Sequence, residues 1–319
     1  MILGIEIGGT KLQLAVSSSE SVEILETIRL NVCRQAGAKG ILEQIKSNAP
    51  KLIDNHKIRS IGIGFGGPVD TRTSTTIISH QISGWENFQL GNWCETELGI
   101  KAAIDNDCNV AALAEANLGA GRGHRRVFYV TVGTGIGGGL VVDGNIYGGD
   151  RPAAAEIGHL RPGLFATHPH QTVESFSSGS GIENRTRDRL RVAEKDSDAA
   201  ELLALCDHNL EKLDAKCIAV AWANGNKIAT ETMRLATQTL GWATAQVATI
   251  ASPELIVIGG GVSLMGKPFL DAVREAFASY LFPPLKGVVK IQSAELGESV
   301  VLRGAMLWAK RARETKMLA

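Results

Sequence analysis

Apolar and β-branched residues gather into four short runs, 2–7, 58–63, 127–132 and 255–258, and glycines follow each one. Runs of this length, rich in Ile and Val and ended by Gly, predict buried strands. Between them the apolar positions recur at helical spacing. Residues 40–52 place Ile41, Leu42, Ile45 and Leu52 on one stripe, and the Ala-rich 110–118 follows an Asn/Asp-rich start suited to an N-cap. The same spacing predicts helices over 174–191, 198–213, 227–250, 270–280 and 301–316. Strands interleaved with helices make the chain α/β.

Composition changes this picture at one point. The chain holds 36 glycines in 319 residues, against roughly 22 for average usage. Fifteen lie in four segments at the strand ends, so they are not the dispersed glycine of a flexible linker. The segments are Gly4 with Gly8-Gly9-Thr10-Lys11, Gly62-Ile-Gly64-Phe-Gly66-Gly67-Pro68, Gly133-Thr134-Gly135-Ile-Gly137-Gly138-Gly139, and Gly259-Gly260-Gly261. In the first and third, a Gly/Thr turn joins two β-prone runs, which predicts two hairpins on one plan. Such turns expose N–H groups and a threonine hydroxyl able to cradle phosphate oxygens; two ordinary hairpins would read the same way. The spacings Gly62-x-Gly64-x-x-Gly67 and Gly133-x-Gly135-x-x-Gly138 imitate a dinucleotide fingerprint. That fingerprint needs a helix directly after the glycines, and Pro68-Val69-Asp70 and Leu140-Val141-Val142 open none. The near P-loop ending Gly266-Lys267-Pro268 lacks the hydroxyl that Mg²⁺ requires.

Charge removes further classes. Lys+Arg and Asp+Glu are equal at 33 each, without the basic excess expected of a nucleic-acid or anionic-membrane binder. No run of 18 apolar residues predicts a membrane span, and the first residues lack the basic start of a signal peptide. Five scattered cysteines without a CxxC pair predict reduced thiols in a cytoplasmic protein.

Three polar clusters carry candidate chemistry. Asp105-Asn106-Asp107 follows an apolar strand end and precedes the Ala-rich helix, where α/β proteins place ligand groups. One of its carboxylates could be a general base, or could only cap the helix. Glu156 and His159, at i and i+3, could grip a polyol, hold a metal, or form a surface ion pair. Glu174 taken alone could be a solvated glutamate.

The order of these motifs, from the first hairpin to the glycine triplet, resembles the ROK family of sugar kinases, from Gly4 to about Ala305. The resemblance implies a two-lobed, actin-like ATPase (ribonuclease H-like) α/β fold with a cleft between the lobes. It implies an N-terminal lobe over 1–118, completed by a helix over 304–319, and a larger lobe over 119–303; the lack of a linker or low-complexity stretch between them predicts a tight junction near 118–126. It further implies that Gly8, Gly9, Thr10, Lys11, Gly133, Thr134, Gly135, Gly137 and Gly138 face ATP phosphates. Gly260 and Gly261 would lie against adenosine, and Glu6 near the Mg²⁺ that accompanies ATP. Asp107 matches the base that takes the proton of the sugar 6-hydroxyl. Gly67, Asn106, Glu156, His159 and Glu174 match sugar ligands. Gly66-Gly67 stands where the family usually has Pro-Gly, which predicts a looser sugar-side loop.

One departure is large. The family's zinc cysteines fall on Phe165, Thr167 and Thr172, none of which supplies a thiolate. Structural zinc is therefore expected to be absent, with His168 and His170 as the reserve nitrogens of that loop, which Pro162, Phe165 and Pro169 are expected to hold by packing. The resemblance implies an ATP-dependent hexose 6-kinase acting on glucose, with N-acetylmannosamine, N-acetylglucosamine, fructose or allose as alternative acceptors and polyphosphate as an alternative donor. It also implies a homodimer. Two readings of another class are a sugar-sensing protein without activity and a repressor. The repressor would need a DNA-binding segment ahead of a first hairpin that here begins at residue 2.

Overall fold

The computed structural model describes the chain apart from residues 150, 152–153, 164–165, 167, 169, 193–196 and 319, and the side chains of 315–318. Its strands are β1 (Ile2–Ile7), β2 (Lys11–Ser17), β3 (Ile24–Asn31), β4 (Ser60–Phe65), β5 (Val69–Asp70), β6 (Thr75–Thr76), β7 (Ala102–Asn106), β8 (Arg126–Val132), β9 (Ile136–Val142), β10 (Asn145–Ile146), β11 (Leu255–Gly259) and β12 (Lys290–Ser293). Its helices are α1 (Gly37–His56), α2 (Leu90–Leu98), α3 (Asp107–Leu118), α4 (Val173–Ser177), α5 (Gly179–Val192), α6 (Ser197–Leu205), α7 (Ala215–Ala223), α8 (Lys227–Ala251), α9 (Lys267–Tyr280) and α10 (Val300–Leu318).

The chain divides into two units. The first joins Met1–Tyr129, Gly139–Ala155 and Glu295–Ala319; the second joins Val130–Gly138 and Glu156–Ala294. The helix expected over 304–319 lies in the first unit as part of α10. The segment 118–126, expected at the junction, lies inside the first unit as well. Its turn folds back on α3: the N–H groups of Gly119 and Gly121 both donate to the Glu115 carbonyl.

In the first unit the sheet order is β3-β2-β1-β4-β7. β1 and β2 form the expected antiparallel hairpin, Ile2 opposite Ser17 through Ile7 opposite Leu12. β1, β4 and β7 run parallel, which sets Gly64 beside both Glu6 and Asp105. The carboxyl ends of three parallel strands thus present Glu6, Gly66-Gly67 and Asn106 at one edge, the usual place for ligand groups in α/β sheets. One core joins Leu3, Ile5, Ile61, Ile63 and Ile104 to Ile41 and Ile45 of α1. A second core is built by Ile2 and Ala15 with Leu302 and Met306 of α10. Two glycines permit the close seating of α10: a Cβ on Gly62 would lie 1.9 Å from the Ala305 carbonyl oxygen, and one on Gly304 1.9 Å from that of Val110.

A second five-stranded sheet has the order β10-β9-β8-β11-β12. In the second unit β11 pairs parallel with β12, and α8 packs against α4, α5, α7 and α9. Two predicted helices are interrupted. The one over 174–191 breaks at Ser178, which is extended (φ −73°, ψ 163°), because the Gly179 N–H bonds the Gly133 carbonyl at 2.7 Å instead of continuing the helix. The one over 198–213 ends at Leu205, and Asp207 and His208 take left-handed φ values of 54° and 55°. Among the described residues no helix is long and apolar enough to cross a membrane. All five cysteines carry free thiols.

Candidate active site

The first unit assembles one group of predicted residues. At the β1–β2 turn, Gly8 N–H donates to the Lys11 carbonyl at 3.0 Å and closes the hairpin. Glu6 is buried, with 6% exposure; one carboxylate oxygen meets Lys11 Nζ at 3.0 Å and the other accepts Gln13 Nε2 at 2.7 Å. The β7–α3 junction makes the second part. Asn106 is the N-cap of α3, and its Oδ1 accepts the N–H groups of Cys108 (2.8 Å) and Asn109 (3.2 Å). The cap that the sequence allowed to Asp105 or Asp107 is therefore Asn106. Its Nδ2 donates to the Gly67 carbonyl at 3.1 Å, and an amide nitrogen keeps a second hydrogen for another acceptor. Asp107 Oδ1 accepts the Cys108 N–H at 2.8 Å.

Gly66 joins the two parts. Its N–H donates to the Ile7 carbonyl at 2.9 Å. A Cβ placed on it would lie 3.6 Å from Asp107 Oδ2 and 3.7 Å from Gly8 Cα. Asp107 and the glycine turn are thus separated by the width of one small residue. The looser loop expected from Gly66-Gly67 is not found. Besides the Ile7 bond, Gly67 N–H donates to Phe65, and the Gly67 carbonyl accepts Asn106. Proline has no N–H and could not make the bond that Gly66 makes.

Asp105 lies behind this junction, 2% exposed. Its Oδ1 accepts Asn106 N–H (2.7 Å) and Asn109 Nδ2 (2.9 Å), while Oδ2 is buried without a hydrogen bond. Burial pushes its carboxyl up to about 6, against the two bonds, which lower it. An acid whose folded pKa is raised binds its proton more tightly in the folded state. Its contribution to stability is therefore present below about pH 4 and is lost as pH rises through about 6. We expect Asp105→Asn to remove this segment of the stability curve. The gap between wild type and variant should change by on the order of 2–3 kcal/mol between pH 4 and 7. Urea melts at four pH values measure it, and a constant gap would show that Asp105 does not titrate there.

The second unit assembles the other group. Gly133 N–H donates to the Gly135 carbonyl at 2.9 Å, closing the second turn. Gly137 and Gly138 continue it into β9. Gly260, at φ 89°, backs onto the strand just before that turn: a Cβ there would lie 2.6 Å from Val132 N and O. Gly261 has open space where a Cβ would be. Glu174 Oε2 accepts the Ile136 N–H at 2.8 Å, so this glutamate is tied to the second turn. Glu156 and His159 bracket a single 3₁₀ turn in which His159 N–H donates to the Glu156 carbonyl at 3.1 Å. Thr134 carries the hydroxyl of this second turn.

Metal donors are sparse. Among the described residues no three His, Cys, Asp or Glu side chains form a group able to hold a metal. Of the three positions where zinc cysteines would stand, Phe165 and Thr167 lie outside the described residues, as does Pro169. Thr172 is the N-cap of α4 and forms a capping box with Ser175. The rings of His168 and His170 lie 5.1 Å apart.

Residues 2–312 match the ROK family. The chain belongs to the ROK family. A glucokinase of Streptomyces coelicolor is 31% identical over 310 residues, covering 96% of this chain and 96% of that one. A glucokinase of Halalkalibacterium halodurans is 32% identical over 324 residues, covering 99% and 96%. Among solved structures, a ROK family glucokinase from Streptomyces griseus in complex with glucose and AMPPNP has a TM-score of 0.84 and 30% identity, covering 97% of this chain and 99% of that chain. The actin-like ATPase fold expected from the motifs is the fold of this ROK chain. Within it, sequence reasoning missed Gln13, which orients Glu6, and Arg34, whose Nε donates to the Gly9 carbonyl at 3.0 Å. Gln13 stands two residues after Lys11 on one strand face, the alternation that could have found it. Arg34 sits outside any periodic pattern.

Proposed function

We propose that this ROK protein is an ATP-dependent kinase that phosphorylates the 6-hydroxyl of glucose. The observation that carries this reading is Gly66, which sets Asp107 Oδ2 beside the glycine turn of the β1–β2 hairpin. A carboxylate next to a turn whose Gly9 and Thr10 N–H groups take no acceptor among the described residues suits transfer of a phosphoryl group to a hydroxyl: one removes the proton, the others hold the phosphate. The glucokinases to which the chain is similar, one of them holding glucose and the ATP analogue AMPPNP, support the choice of acceptor and donor.

In this reading Asp107 accepts the hydroxyl proton. Asn106, Gly67, Glu156, His159 and Glu174 take the remaining sugar hydroxyls. Gly8, Gly9, Thr10 and Lys11 with Gly133, Thr134, Gly135, Gly137 and Gly138 hold the phosphates, and Gly260 and Gly261 receive the adenosine. Magnesium would enter with ATP to neutralise the phosphates. Glu6 is the carboxylate that fits it, once Lys11 turns from Glu6 toward the phosphates. Structural zinc in the family's usual form has no place in the proposal, since the Thr172 hydroxyl is committed to capping α4. A cytoplasmic location agrees with the five free thiols; a homodimer rests on the family resemblance.

A coupled assay over glucose, N-acetylmannosamine, N-acetylglucosamine, fructose and allose, each with ATP and with polyphosphate, tests the proposal. We expect the highest kcat/KM with glucose and ATP. A higher value with another sugar or with polyphosphate would replace the acceptor or the donor. Sugar binding without turnover on any pair would make the protein a sensor.

A further inference from the structure

The two Gly–Thr turns are held by the same device, made from different parts. In the second turn, the carbonyls of Gly133 and Thr134 accept the N–H groups of Gly179 (2.7 Å) and Ser180 (3.4 Å), at the start of α5. In the first turn, the carbonyls of Gly9 and Thr10 accept Arg34 Nε (3.0 Å) and the Val32 N–H (3.1 Å). A trans peptide points its C=O and the following N–H in opposite directions, and the chain has no cis bonds. Tying back the Gly9 and Thr10 carbonyls therefore turns the N–H groups of Thr10 and Lys11 to the other side. Among the described residues, the Gly9 and Thr10 N–H groups take no acceptor.

Three of these four carbonyl ties are backbone to backbone. The fourth is a single exposed side chain. Gln81 adds to it: a Cβ on Gly9 would lie 1.7 Å from Gln81 Oε1, so the Gln81 amide covers the α-carbon of the glycine whose carbonyl Arg34 holds. Gly9 has no side chain to fix its own peptide plane, and glycine in a turn tip samples φ of either sign. Without Arg34 the Gly9–Thr10 peptide loses the bond to its carbonyl and is free to rotate and withdraw its N–H.

We propose that Arg34 is a positioning residue for the phosphate donor: by holding the Gly9 carbonyl it presents the Thr10 N–H to a nucleotide phosphate. The proposal rests on the kinase reading for the identity of that donor, though not for the binding itself. Arg34 acts through the peptide and need not touch the nucleotide.

Arg34→Met keeps the length of the side chain and removes its donors, whereas Arg34→Lys restores one. In the Met variant we expect the Kd and KM for ATP to rise about five- to tenfold, the scale of one ordinary hydrogen bond, since the lost bond acts on the nucleotide only through the peptide. The KM for glucose, the Kd for adenosine (which lacks phosphates) and the melting temperature should stay within experimental scatter. Arg34→Lys should recover most of the ATP affinity. Unchanged ATP binding in Arg34→Met would overturn the proposal, and so would an equal loss for adenosine or glucose, which would mark a general structural role. ATP binding is titrated directly, without turnover. If wild type binds ATP yet phosphorylates no sugar, the kinase reading fails while the Arg34 result still decides this one.

Discussion

Asp107→Ala is expected to lower kcat for glucose phosphorylation by about two or more orders of magnitude, the range of a lost general base. The Kd for ATP should stay within about twofold of wild type, because the N–H groups of the glycine turn are untouched. The geometry sets this split. Asp107 is the first residue of α3, and its Oδ1 is fixed by the Cys108 N–H at 2.8 Å. That bond turns the side chain so that Oδ2 faces Gly66 and, beyond it, Gly8. A helix N-terminus also favours the ionised carboxylate, the form that can accept a proton. Asp107→Asn is the sharper variant. It retains an acceptor for Cys108 and most of the shape but cannot take the proton, so it should fall nearly as far as alanine. Steady-state kinetics with ATP titration reads both numbers. Near-normal turnover in Asp107→Asn would remove Asp107 from the role of base, and a parallel collapse of ATP binding would make its role structural.

The parts of this site that were legible in the sequence are those where chemistry and periodicity coincide. Strand ends followed by glycine located both turns, because a buried β-run and a sharp backbone turn each leave a local mark. The polar cluster at 105–107 stood out for the same reason, at a strand-to-helix junction. Roles inside it were less visible. Asn106, not a carboxylate, caps α3, and only the register of β7 against β4 shows why Asp105 is buried beside Gly64. β3 escaped detection because it is largely exposed and its residues 24–31 include two charges. The break at Ser178 had no local signal, since it follows from a bond to Gly133, 46 positions earlier in the chain (179 less 133). Arg34 and Gln81 share that cause: each acts on Gly9 from a segment distant in sequence.

Glu115 went unmarked for the opposite reason. On an Ala-rich helix a lone glutamate reads as a solvated position, yet it is fully buried, with 0% exposure. Its carboxylate accepts three backbone N–H groups: Ala120 at 3.0 Å on one oxygen, and Glu295 at 3.0 Å and Leu296 at 2.9 Å on the other. Residues 295–296 are where the chain re-enters the first unit ahead of α10, so one side chain ties the end of α3 to the start of the closing segment. We expect Glu115→Leu to destabilise the protein by about 3–5 kcal/mol, because three buried donors lose their acceptor at once. Glu115→Gln should cost less, about 2 kcal/mol. Its carbonyl oxygen can still serve Glu295 and Leu296, while its NH₂ meets the Ala120 N–H donor to donor. A small neighbour is needed here too, since a Cβ on Gly119 would lie 2.1 Å from Glu115 Oε2. Urea unfolding followed by tryptophan fluorescence ranks the variants, with wild type above Gln and Gln above Leu. Equal stability of Leu and Gln would show that apolar packing, not the carboxylate, holds this junction together.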